Sequence, residues 1–114
     1  MHEYSIANDI YLTARRAAVE NLAISVKTIH VEIGELSMVN PDQVDFLFKV
    51  IIEDDPLFSG TTLDMRTIPP ETTCSCGYTG NEIFVCPKCG SLPSVVKGRE
   101  ILVSNIEIDT DDGE

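Results

Sequence analysis

An α+β fold is predicted by three observations. A helical apolar period opens the chain, strand-like alternation recurs in three later segments, and all four cysteines fall between the last two of those segments. The expected architecture is a small two-layer core, a three-stranded sheet with two helices, carrying an inserted four-cysteine module. In residues, 1–70 and 97–114 form the core domain and 71–96 the insertion.

The first helix is predicted from about Glu3 or Tyr4 to Asn21. Ile6, Ile10, Ala14, Ala17 and Ala18 fall near one stripe, with Leu22 closing it, and Glu3 suits the helix dipole. From Val26 to Ile33 the period becomes two: Ile29, Val31 and Ile33 alternate with Thr28, His30 and Glu32, as in a half-buried strand. Asn40-Pro41-Asp42-Gln43 reads as a helix start, with Asn as N-cap and Pro at the first helical position. Val44, Leu47, Phe48 and Ile51 supply that helix's apolar face. Glu53-Asp54-Asp55-Pro56 ends it as a solvated acidic loop. Thr61–Ile68 alternates again, with Leu63 and Met65 inward, and Pro69-Pro70 stops it. Glu100–Ile108 is the last strand, with Leu102, Ile106 and Ile108 assigned to the core face. The final six residues hold four acids and are expected to form a disordered tail. The predicted core is Ile6, Ile10, Ala14, Ile29, Val31, Ile33, Val44, Leu47, Phe48, Ile51, Leu63, Met65, Leu102 and Ile106.

The insertion holds Cys74-Ser75-Cys76-Gly77 and Cys86-Pro87-Lys88-Cys89-Gly90. Two close pairs at this separation suit a tetrahedral four-thiolate site. Gly77 and Gly90 permit the positive φ that such turns demand. Tyr78–Val85 is expected to form a hairpin between the pairs. Structural zinc at Cys74, Cys76, Cys86 and Cys89 is the favoured reading. Two disulfides, free thiols and a rubredoxin-like iron site are the alternatives.

Composition narrows the function. A chain of 114 residues with net charge −11 lacks the clustered Lys/Arg that phosphate binding needs, so no nucleic-acid partner is expected. There is no export signal and no membrane-length apolar run. With metal-spaced cysteines, this points to the reducing cytoplasm. Gly-rich phosphate loops, Gly-x-Ser-x-Gly and His-Glu-x-x-His are all absent, and every cysteine lies in one cluster. The reading is therefore not an enzyme. His30 is assigned to an exposed polar strand face.

His2 differs because of its position. The Met1 amine, the His2 amide and the His2 imidazole can form fused chelate rings. A Glu3 donor completes a square plane of the kind nickel(II) and copper(II) favour. A surface residue at a helix start is the plainer alternative.

Met1-His2-Glu3 opening an amphipathic helix, an α/β core and four cysteines before the last strand together resemble the nickel-incorporation proteins of the HypA/HybF family. Val31-Glu32-Ile33-Gly34-Glu35-Leu36-Ser37 and Leu102-Val103-Ser104-Asn105-Ile106-Glu107-Ile108 look like two further family segments. The likeness covers nearly the whole chain. It departs at Cys74-Ser75-Cys76, where the family usually has two residues between the cysteines. The resemblance implies His2 as nickel ligand with Met1 and Glu3 beside it, and structural zinc at the four cysteines. It implies a metallochaperone serving the large subunit of nickel–iron hydrogenase with a GTPase partner, HypB. A monomer or weak homodimer is expected. A zinc-ribbon adaptor without nickel transfer and an iron electron-transfer protein are the competing functions.

Overall fold

The computed structural model describes residues 2–111, with side chains from Glu3 onward. Eight regular elements follow in order: helix α1 (His2–Glu20), strand β1 (Ala23–Gly34), helix α2 (Pro41–Ile51), strands β2 (Thr62–Ile68), β3 (Glu71–Thr73), β4 (Thr79–Gly80), β5 (Ser94–Lys97) and β6 (Ile101–Thr110). Short 3-10 turns cover Glu35–Ser37 and Pro56–Phe58. The fold is α+β, as predicted. The core sheet runs β2-β1-β6, and a second sheet runs β4-β3-β5.

Strand β1 is the centre of the core sheet. It pairs in parallel with β2, from Thr28 opposite Thr62 to Gly34 opposite Ile68. It pairs antiparallel with β6 on its other side. A parallel pair needs a crossover, and α2 supplies it. The Asn40 side chain starts α2 by accepting from the backbone N–H groups of Asp42 and Gln43, with Pro41 at the first turn. Thr61, buried just before β2, donates its hydroxyl to the Val26 carbonyl at 2.6 Å and so sets where the parallel pairing begins.

The core lies between this sheet and the two helices. Ala7, Ile10, Ala14 and Ala18 form the buried stripe of α1, and Val44 and Phe48 that of α2. Alanines on α1 let the helix sit close to the sheet. Phe48 and Phe58 meet edge-on, with ring centroids 6.3 Å apart, and Tyr11 lies 5.1 Å from Phe58.

Several sequence expectations are corrected. Leu22 does not close the α1 stripe. Helix α1 ends at Glu20, and Leu22 takes a left-handed φ of 59° and is 78% exposed. Leu102 is exposed rather than in the core. The cause is a bulge in β6: His30 pairs with Asn105 but Val31 with Val103, leaving Ser104 as an extra residue. One extra residue reverses the side-chain alternation. Ile101 and Val103 therefore face inward on one side of the bulge, and Ile106 and Ile108 on the other. A similar irregularity in β1 brings Val26 inward together with Ile29.

The acidic loop is not simply solvated. Asp55 caps the following 3-10 turn through Leu57 N–H and accepts from the Tyr11 hydroxyl at 2.6 Å and Arg15 Nε at 3.2 Å. These contacts hold its carboxyl below the usual range, although its burial acts the other way and is the largest single influence. Strand β6 continues to Thr110, beyond the predicted Ile108. Of the expected disordered tail, residues 112–114 lie outside the described residues.

No hairpin spans Tyr78–Val85. Only Thr79–Gly80 is strand there, and it pairs back on β3, which precedes the first cysteine. Asn81 donates from its side-chain amide to the Pro70 carbonyl, which holds the chain against β3's entrance. Strand β5 pairs with the other edge of β3. Where β1 passes the return chain, Gly34 N–H donates to the Glu100 carbonyl and Leu36 N–H to the Gly98 carbonyl. A Cβ on Gly34 would collide with the Gly98 carbonyl, and Gly98 itself has φ +124°.

Phe48 is fully buried. Phe48→Ala should therefore cost about 3–5 kcal/mol, read as a fall in the urea unfolding midpoint. A loss under about 1 kcal/mol would contradict this packing.

Candidate metal centre

The two cysteine pairs sit in turns that backbone hydrogen bonds close. Gly77 N–H donates to the Cys74 carbonyl and Cys74 N–H to the Tyr78 carbonyl, both at 2.8 Å. In the second turn Gly90 N–H donates to Cys86 O at 2.8 Å and Cys86 N–H to Ser91 O at 2.7 Å. Gly77 and Gly90 take φ of +98° and +80°. The left-handed step after each pair folds the chain back so that both sulfurs of the pair point the same way.

These turns bring all four sulfurs within 4.8 Å of one another. Cys74 Sγ lies 3.4 Å from Cys89 Sγ, and Cys76 Sγ lies 3.7 Å from Cys86 Sγ. A tetrahedron with metal–sulfur bonds of ~2.3 Å has edges of ~3.8 Å, so the donor set fits a tetrahedral thiophilic cation such as zinc. Both short contacts link cysteines of different pairs, which is the interleaving a single four-thiolate centre needs. Cys74 and Cys86 are buried, while Cys76 and Cys89 are exposed. Among the described residues this is the only such ligand cluster.

The sulfurs do not titrate alike. The Ser91 side chain and N–H pull the Cys89 thiol down to about 6. Burial pushes the Cys86 thiol up, but the N–H groups of Cys89 and Lys88 outweigh it and leave it lowered. Tyr78 N–H favours the Cys76 thiolate, yet partial desolvation and the other three sulfurs drive its thiol up to about 12. Four thiolates this close repel one another, and a bound dication relieves that repulsion.

Of the predicted nickel set, Met1 and the His2 side chain lie outside the described residues, so the structure leaves that set untested. Glu3 sits in the first turn of α1. Its carboxylate accepts from the Asn40 backbone N–H at 3.3 Å. Its carboxyl is held below the usual range, first by its own backbone N–H and then by that of Asn40. The start of α1 is thus tied to the N-cap of α2. Sequence reasoning did not single out Asn40 or Ser91 as neighbours of candidate ligands. Ser91's position two residues past Cys89 was the one available cue. His30, assigned to an exposed face, is instead held by two carboxylates, Asp64 and Glu107.

A family model described as "Hydrogenase/urease nickel incorporation, metallochaperone, hypA" matches residues 1–108. The chain belongs to this family. A hydrogenase maturation factor HypA from Methanocella arvoryzae is 40% identical over 113 residues, covering 96% of this chain and 99% of its own. The HypA of Methanothermobacter thermautotrophicus is 36% identical over 123 residues, covering 98% of this chain and 100% of its own. The solution structure of the Ni metallochaperone HypA from Helicobacter pylori shares the fold, with a TM-score of 0.76 at 24% identity over 97% of this chain and 100% of that one. Among the described residues of this HypA-family chain, no helix is long and apolar enough to cross a membrane.

Proposed function

We propose that this protein is a nickel metallochaperone that binds Ni(II) at Met1, His2 and Glu3 and delivers it during maturation of nickel–iron hydrogenase. The observation that carries the proposal is the family match over residues 1–108, which takes in both the first three residues and all four cysteines. In this reading the Met1 amine, the His2 amide and imidazole and a Glu3 donor surround the cargo. Nickel(II) favours such nitrogen and oxygen donors in a plane. The protein is a carrier and not an enzyme, and it works in the cytoplasm as a monomer or weak homodimer. Its partners are a HypB-type GTPase and the hydrogenase large subunit.

Zinc at Cys74, Cys76, Cys86 and Cys89 is structural in this proposal. Closed four-thiolate sites hold zinc without an open position for chemistry. Residues 71–96 form a module whose folding depends on the metal, while 1–70 with 97–114 form a core that does not. Metal binding to thiolates contributes directly to folding of such small modules.

A second reading, a zinc-ribbon interaction adaptor without nickel transfer, rests on the apolar side chains around the cysteines: Phe84 is 78% exposed and Leu92 74%. Such groups suit protein contact. Nickel binding separates the two readings.

Calorimetric nickel titration of the native terminus, of His2→Ala and of a version with extra residues before Met1 is the decisive comparison. His2→Ala should abolish specific nickel binding and leave zinc content unchanged. The extended terminus should weaken nickel binding strongly, because an amide nitrogen replaces the amine. Affinity in the native protein should fall as pH drops below neutral, since protons compete for an amine of pKa about 7.7–8.0 and an imidazole of about 6.5. Unchanged nickel binding in His2→Ala would favour the adaptor.

Elemental analysis should give one zinc per chain. Cys86→Ala should unfold 71–96 while amide protection in the core survives. Loss of that protection as well would refute the division into two units.

A further inference from the structure

On the face of the core sheet opposite the helices, His30 lies at the centre of β1 with a carboxylate on either side. Its Nδ1 is 2.8 Å from Asp64 Oδ2 on β2, and its Nε2 is 2.6 Å from Glu107 Oε2 on β6. An ionised carboxylate only accepts hydrogen bonds, and a neutral imidazole has a single N–H. With a neutral ring, one carboxylate would face a bare nitrogen lone pair at hydrogen-bond distance. Only the doubly protonated ring satisfies both contacts. One cation therefore bridges all three strands of the sheet.

The bridged strands have a particular place in the chain. Strand β2 leads through Ile68, Pro69 and Pro70 into the cysteine module, and β6 begins where the chain comes back from it. The bridge also sits on the β6 bulge. Ser104, the extra residue, donates its hydroxyl to the His30 carbonyl at 3.2 Å. We propose that His30 is a pH-sensitive clasp: as an imidazolium it ties together the strands that leave and rejoin the core sheet, and its deprotonation loosens β6 at the Ser104 bulge.

The surrounding charges favour the cation. Asp64 and Arg66 approach from β2, Glu107 from β6 and Glu32 from β1 itself. Further along, Asp109 on β6 is paired with Lys27 on β1. Three carboxylates against one guanidinium leave the immediate surroundings negative. The hydrogen bond to Glu107, followed by that to Asp64, accordingly raises the imidazole above its ordinary value. A raised folded-state pKa has a definite sign. The clasp's contribution to stability is complete below the unfolded value of about 6.5 and is lost as pH rises through the higher folded value. On deprotonation one carboxylate loses its donor. Strand β6 is an edge strand whose sheet pairing, among the described residues, is with β1 alone, so the loosening shows there first.

The test uses the full zinc-loaded chain. The ¹⁵N shifts of the His30 ring should show both nitrogens protonated at low pH and a midpoint for loss of one proton above about 6.5. The Tm advantage of the native protein over His30→Gln should shrink as pH rises through that midpoint. The protection factors of the Val103 and Ser104 amides, corrected for intrinsic base-catalysed exchange, should fall over the same range in the native protein and stay level in His30→Gln. Glu107→Gln should lower the midpoint while leaving a folded sheet, which keeps the test open if His30→Gln folds poorly. A midpoint at or below about 6.5, or a Tm difference independent of pH, would overturn the proposal.

Discussion

The structure depends on the pairing of β1 with two neighbours of opposite direction. Parallel pairing with β2 forces the chain to cross over through α2, and antiparallel pairing with β6 brings it back from the far end. The strands that leave and rejoin the sheet therefore lie on opposite sides of β1. Whatever is inserted between them must begin and end near the same end of the core sheet, where β1 reaches Gly34. The close approach of Gly34 to Gly98 marks that place, and there the return chain crosses β1 with backbone nearly in contact with backbone. A side chain at Gly34 would push the two passages apart. The glycine at the end of the Val31–Gly34 segment is a steric requirement of the insertion.

Much of this was legible in the sequence because local rules and tertiary packing agree. Asn40-Pro41 caps α2 as its residue types demand. Ile29, Val31 and Ile33 alternate without interruption and are all buried. The four cysteines converge as their spacing requires. The failures have one physical origin, which is that strand periodicity reads parity and not register. The extra residue at Ser104 reverses the parity of β6, so Leu102 exchanges places with Ile101 and Val103. Nothing in the residue types around Ser104 announces it. Phe58 was missed for a related reason, since a three-residue turn has no period to detect. The hairpin expected between the cysteines failed because β4 found its partner in β3, a pairing that depends on tertiary placement.

Of the candidate sites, the cysteine cluster was the more legible. Its geometry follows from two local turns, each set by residues within a few positions of the ligands. The amino-terminal set has no such local geometry to read. Of its proposed donors, Glu3 lies in the first turn of α1, and a contact of its carboxylate comes from a residue far along the chain. Asn40 reaches Glu3 only because α2 packs on α1, and 37 positions separate them in sequence. That contact is invisible to motif spacing.

The Glu3 contact bears on how the proposed cargo site would work. A carboxylate oxygen bonded to a backbone N–H at a helix start is oriented and stays ionised at neutral pH. An ionised, oriented carboxylate is a better metal donor than a free one, because less freedom is lost on coordination. The same bond limits its donor strength, since the N–H draws on the electron density that a metal would share. Four clustered thiolates face no such compromise, because a bound cation relieves the repulsion that otherwise favours keeping a proton on Cys76. The two donor sets thus differ in kind. One is suited to retaining its metal, and the other, on the proposed reading, to giving it up at a partner's surface.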